Sequence, residues 1–264
     1  EASGSFPFAP AGRSGIPVYF ARGSGAADQL RIVVVMHGTD RNARDYRRAW
    51  EPIVSGKPLL VLVPEFAEKD FPGLVYNTGG MIDDSGASRP PDSWLFGYIE
   101  ALVDSVHERL GSANSGYDLF GHSAGAQFVH RFVMFGQPRS LGRAVAANAG
   151  WYTMPDGGIG FPYGLRGVPA TAVDRRAMYD SDLTILLGSK DVETENLRQD
   201  AGAMAQGATR VERGQKFFAA ARFDAIRAGV PFRWSLEVAQ GIAHDYAEMS
   251  AAAAARFALP PGQR

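Results

Sequence analysis

Gly121-His122-Ser123-Ala124-Gly125 places a serine between two glycines, after the apolar run Tyr117-Asp118-Leu119-Phe120 and before the helical-period segment Ala126-Phe132. Residues of these types at this spacing could attack an acyl carbon. A serine in a sharp strand-to-helix turn holds its hydroxyl clear of the backbone, and flanking glycines let other segments come close. The N–H groups opening the following helix also face any negative charge that develops beside the serine. The competing reading makes Ser123 a plain helix cap in a glycine-flanked turn. A chain with 31 glycines carries such turns by chance, so other residues must decide.

A serine hydroxyl is a poor nucleophile until a base removes its proton, and that base needs a carboxylate to fix its tautomer. There are five histidines. His107 and His130 fall in helical segments, as packed or solvated side chains. His37 follows a strand within His37-Gly38-Thr39, and His122 lies inside the serine motif, where it is a candidate substrate contact. His244, in the glycine-bearing loop Gln240-Asp245 between the last strand and the last helix, is the expected base. Parallel sheets hold their active residues at the carboxyl ends of strands. Leu183-Leu187 is such a strand, and Gly188-Ser189-Lys190-Asp191 puts Asp191 in the first turn after it. Asp191 is the expected acid, with Glu193 the runner-up and a turn or cap aspartate the bland alternative. Asp182 precedes the strand and belongs to the wrong edge.

Acyl transfer also needs donors for an oxyanion. The backbone N–H of Ala124 is one. The loop after Ile32-Met36 offers the other, from Thr39 or alternatively Asp40, with Gly38 allowing a tight turn.

These residues require a scaffold of strands that end on one side. Short apolar runs alternate with segments of helical period, the pattern of a mostly parallel sheet covered by helices in an α/β fold. Strands are expected at 18–22, 31–36, 59–64, 117–120, 144–147, 183–187 and 232–238, and helices at 92–110, 123–135, 214–228 and 245–257. Residues 1–15 read as an extended N-terminal segment. The long stretch 67–91 leaves the sheet. The Gly- and Pro-rich stretch 152–182 is expected to form a lid or cleft wall, with an idle surface insertion as the alternative. Length and a 45% hydrophobic content fit one domain over 1–264.

Composition excludes several classes. A net charge of -1 offers nothing to nucleic acid or an anionic membrane. No apolar run is long enough to span a bilayer. With no cysteine there is no disulfide, thiol nucleophile or thiolate metal site. Neither H-E-x-x-H, G-x-x-x-x-G-K nor a strand-borne G-x-G-x-x-G occurs, so no metal or other cofactor is implied. The chain starts at Glu1 with a Gly/Ser/Pro/Ala-rich stretch, as a removed signal peptide or simple trimming would leave. A secreted or periplasmic address is the expectation, with the cytoplasm as the alternative.

The strand ending in His37-Gly38, the Gly121–Gly125 turn and the order Ser123, Asp191, His244 resemble the α/β-hydrolase superfamily over about residues 18–257. Within it, size and the Leu-x-Gly-x-x-Asp acid loop, Leu186-Leu187-Gly188-Ser189-Lys190-Asp191, are most similar to secreted esterases around the polyhydroxybutyrate depolymerases and feruloyl esterases. The chain departs from the depolymerases in lacking cysteines and a separate substrate-binding domain. The resemblance implies a serine esterase whose substrate is a small-molecule or polymeric ester. It also implies that the region after strand 144–147 opens toward the nucleophile. Trp151 and Tyr152, with Phe161 and Tyr163, would then form an aromatic substrate wall, the alternative being that some are core. Rival readings are an amide or poly(amino acid) hydrolase, a polyester hydrolase, and a non-catalytic binding protein on the same fold.

Overall fold

The computed structural model describes residues 2–113 and 116–258, the side chain of 258 excepted. Eight strands form one sheet: β1 (Ser3–Phe8), β2 (Ile16–Arg22), β3 (Arg31–Met36), β4 (Leu59–Pro64), β5 (Tyr117–His122), β6 (Leu141–Ala147), β7 (Asp182–Gly188) and β8 (Ser235–Ala239). Their spatial order is β1-β2-β4-β3-β5-β6-β7-β8. The β1/β2 and β2/β4 pairs are antiparallel, and every pairing from β4/β3 through β7/β8 is parallel. The mostly parallel sheet of an α/β-hydrolase is therefore present.

The helices are α1 (Ala43–Val54), α2 (Gly73–Asn77), α3 (Phe96–Leu110), α4 (Ala124–Phe135), α5 (Arg175–Asp180), α6 (Ala201–Met204), α7 (Arg210–Ala228) and α8 (Tyr246–Ala258). They cover both faces of the sheet. Alternate residues of β3 show why the strand is apolar throughout. Ile32, Val34 and Met36 join the core beneath α3, α4 and α7, whereas Val33 and Val35 join the core beneath α1 and α8. Helix α4, directly after the serine, is buried along its whole length.

The structure adds β1, α1, α2, α5 and α6 to the expected elements, and the first two show why. The extended segment 1–15 contains an edge strand, β1, where Pro7 sits opposite Pro17 of β2. Proline lacks an N–H, and an edge position tolerates that loss. Helix α1 lies outside the expected helices and carries Pro52 in its last turn. Its buried stripe of Ala43, Tyr46, Trp50 and Val54 holds it regardless.

Candidate active site

The site is assembled from loops at the carboxyl ends of β3, β5, β7 and β8. Ser123 follows β5 with φ +57° and ψ -117°, a conformation that costs a non-glycine residue about 1–3 kcal/mol. The turn around it explains its two glycines. A Cβ on Gly121 would lie 2.3 Å from the Gly125 carbonyl oxygen, and one on Gly125 would lie 2.1 Å from that of Met36. Ser123 gives no side-chain cap to α4. Its Oγ lies 3.0 Å from Nε2 of His244 instead.

Nδ1 of His244 lies 2.6 Å from Oδ2 of Asp191. A carboxylate only accepts, so Nδ1 carries the proton and Nε2 is left to accept from the serine. Asp191 is fully buried and His244 is 29% exposed at its side chain, so one end of the relay is dry and the other opens to the cleft. The other carboxylate oxygen of Asp191 accepts from Nη1 of Arg210, at 3.1 Å.

The loops carrying the acid and the histidine are joined to one another. Lys190 N–H donates to Ile242 O at 2.9 Å, and Gly241 N–H to Ser189 Oγ at 2.8 Å. Buried Asn148, at φ +51°, accepts from Gly188 N–H at 2.7 Å and donates to Ala243 O at 3.1 Å. One side chain thus ties both loops.

His122 packs its ring 4.6 Å from that of His244, and its Nδ1 lies 3.0 Å from the Tyr46 hydroxyl. Burial first, then the neighbouring His244 and Arg210, hold its basicity far below the ordinary histidine range, so it stays neutral. His37 has a different task. Its Nε2 accepts from Phe66 N–H and its Nδ1 lies 3.0 Å from Gly38 O, which anchors the loop bearing Thr39. Thr39 follows β3 and Ala124 follows Ser123 directly, and among the described residues no protein acceptor takes the backbone N–H of either.

The cleft above the serine has a volume of about 630 Å³. Thr39, Asp40, His122, Ser123, Glu193, Glu195, Arg210, His244 and Tyr246 are among its lining residues. No residue of 152–182 lines it, and the wall expected there is formed instead by 193–196. Trp151 and Tyr152 are likewise not in contact with the cleft, being 2% and 0% exposed. The cause is a pair of buried arginines. Arg131 of α4 stacks 4.1 Å from the Trp151 ring and donates to Thr153 Oγ1, while Arg213 of α7 donates to Gly150 O. The segment 150–153 is drawn inward to supply those guanidinium partners. Tyr152 stacks on Phe217 at 4.5 Å, Tyr163 packs on Trp151, and Phe161 packs on Phe135.

The sequence reading missed Arg210, Asn148 and Tyr46. Only Asn148 carried a local signal, since asparagine is one of the few residues that accept a left-handed turn at a strand end. No helix among the described residues is long and apolar enough to cross a membrane.

No family model matches the chain, and no curated protein matches it. Solved structures do. Poly(aspartic acid) hydrolase-1 from Sphingomonas sp. KT-1 is 41% identical over 96% of this chain and 97% of its own, with a TM-score of 0.90. LpqC, a poly(3-hydroxybutyrate) depolymerase from Bordetella parapertussis, is 31% identical over 97% of this chain and 89% of its own, with a TM-score of 0.88. FphF, a fluorophosphonate-binding serine hydrolase from Staphylococcus aureus, shares the fold at 16% identity and a TM-score of 0.60, covering 97% of this chain and 96% of its own. The chain belongs to the same family as the first two, the esterase-like group of the α/β-hydrolases.

Proposed function

We propose that the protein is a serine hydrolase that cleaves carboxylic esters through an acyl-enzyme. The observation that carries this reading is the continuous relay from Ser123 Oγ to His244 at 3.0 Å and on to Asp191 at 2.6 Å. Ser123 attacks the carbonyl carbon while His244 Nε2 takes its proton. Asp191 fixes the tautomer and stabilises the imidazolium. The N–H groups of Thr39 and Ala124 receive the oxyanion, each contributing about 3 kcal/mol to the transition state. His244 returns its proton to the leaving alkoxide, and then activates the water that releases the acid.

The cleft favours an uncharged acyl group. Asp40, Glu193 and Glu195 line it and are exposed, while the one guanidinium in the lining, that of Arg210, is engaged by Asp191. A polyanion would meet like charge, whereas a neutral small ester or polyester would not. A second reading, amide cleavage of a poly(amino acid), draws support from the 41% identity to a poly(aspartic acid) hydrolase.

The decisive measurement is a panel of neutral esters, carboxylate-bearing esters and matched amides, run with wild type and Ser123→Ala. Neutral esters are expected to turn over fastest, and Ser123→Ala to abolish turnover while the melting temperature holds. Faster cleavage of the anionic amides would hand the protein to the second reading. Ester hydrolysis surviving in Ser123→Ala would end the serine assignment.

A further inference from the structure

Asp191 is the only carboxylate of the relay, and it has no exposed surface at its side chain. A buried carboxylate needs partners on both oxygens, and a neutral imidazole serves one. The other is served by Arg210, itself only 6% exposed at its side chain. We infer that Arg210 is a positioning residue for the catalytic acid, holding the Asp191 carboxylate in register with His244 and balancing its charge. This inference rests on the serine-hydrolase reading of the same site.

Three features single out this arginine. It occupies the first residue of α7, where the helix's positive end disfavours a cation unless an anion faces it. The position is rigid, because Thr209 and Glu212 close a reciprocal cap around it. Its Nη1 also reaches Glu193 O at 3.3 Å, so one guanidinium grips the acid loop at the carboxylate and again two residues on. Arg210 additionally lines the cleft, and changes in its charge act directly on the reaction space.

Among the described residues, the other groups facing the acid and base leave Arg210 as the buried formal charge set against them. From the nucleophile turn comes His122, which burial keeps neutral. From the segment after β6 comes Tyr152, whose hydroxyl burial and Asp191 together push far up, so it too is neutral. Asp245, Glu193 and Glu195 are exposed, and their fields are screened by solvent. A cation bonded to Asp191 weakens the hold of that carboxylate on a protonated histidine. Removing it should therefore extend protonation of the base to higher pH.

The test separates charge from hydrogen bonding. Arg210→Lys keeps the charge, Arg210→Gln keeps a donor without charge, and Arg210→Met keeps neither. With a small neutral ester, the acid limb of kcat/KM is expected to move up by about half to one pH unit in Gln and Met. It should stay within about 0.2 unit of wild type in Lys, which retains the charge. In Met, kcat should fall about 10- to 100-fold with little change in KM, as expected when a reacting group is misplaced. Should Met not fold, the Lys and Gln pair carries the same comparison. An acid limb that stays put in Gln and Met, with only the melting temperature lowered, overturns the inference and makes Arg210 a structural arginine. Fluorophosphonate labelling of wild type keeps the two ideas apart. Label on Ser123 with an unmoved limb sinks the inference alone, whereas no label on Ser123 sinks the underlying reading with it.

Discussion

At the residue scale, Asp191 and Glu193 compete for one role, and their surroundings separate them. Asp191 is buried and meets His244, whereas the Glu193 side chain is exposed and only its carbonyl takes part, in a bond from Arg210. Asp191→Asn removes the acceptor that sets the tautomer of His244, and kcat should drop about 10⁴-fold, as for a triad aspartate. Glu193→Gln should cost less than about 10-fold by the same assay, because its carboxylate touches no reacting group. A larger loss in Glu193→Gln than in Asp191→Asn would reverse the assignment. Asp191 was legible because it follows a buried strand within one turn. Arg210 was not, since nothing around residue 210 says which carboxylate a helix-terminal arginine will meet.

Elements impose a second layer of constraint. The strand-turn-helix unit around Ser123 works only while β3 and α4 can touch its glycines. Gly125→Ala would drive a methyl to 2.1 Å from Met36 O, which is backbone and cannot move aside. We expect a loss of about 3 kcal/mol or an insoluble product, measured by denaturant unfolding. Asn148 is the link between the β7 and β8 loops. Asn148→Ala leaves the buried Gly188 N–H unpaired, at a cost of about 1–3 kcal/mol, and releases the exposed Ala243 O to solvent. Loosening of His244 relative to Asp191 should also lower kcat at least about 10-fold, with KM little changed. Equal falls in both stability and activity of an unrelated surface variant would deny Asn148 this role. Strand positions in the sheet interior were readable from their apolar runs. Edge strand β1 and helix α1 were obscured because Pro7 and Pro52 break the local pattern, while neighbouring strands and the Tyr46–Trp50–Val54 stripe restore it.

For the whole molecule, burial of histidines sets a pH dependence. Burial pushes His37 down to about 3 and holds His122 and His130 well below the ordinary range. The folded chain keeps all three neutral where the unfolded chain binds protons. Stability from these groups is thus intact above the unfolded histidine value, near 6.5, and is lost as pH falls toward 3. Each contributes a slope of up to about 1.4 kcal/mol per pH unit in that window. Asp118, raised by burial, acts in the opposite sense, its contribution being lost as pH rises through the carboxylate range. Calorimetry from pH 8 to pH 5 should show a melting temperature that falls steadily below about 6.5. A flat profile would mean that these imidazoles gain protons in the folded state.

Ser123, Asp191, His244, Thr39 and Ala124 were marked by sequence alone, because each sits at the end of a strand whose apolar run is a property of adjacent residues. Local periodicity carries that much, and with it the α/β layout. Only the tertiary structure decided what the cleft is made of. Trp151 and Tyr152 turned inward because Arg131 and Arg213, distant in the chain, needed partners once buried. Arg210 turned to Asp191 for the same reason. The free energy of leaving a charge or polar group unpaired away from water depends on everything that surrounds it in space, and no stretch of neighbouring residues records that.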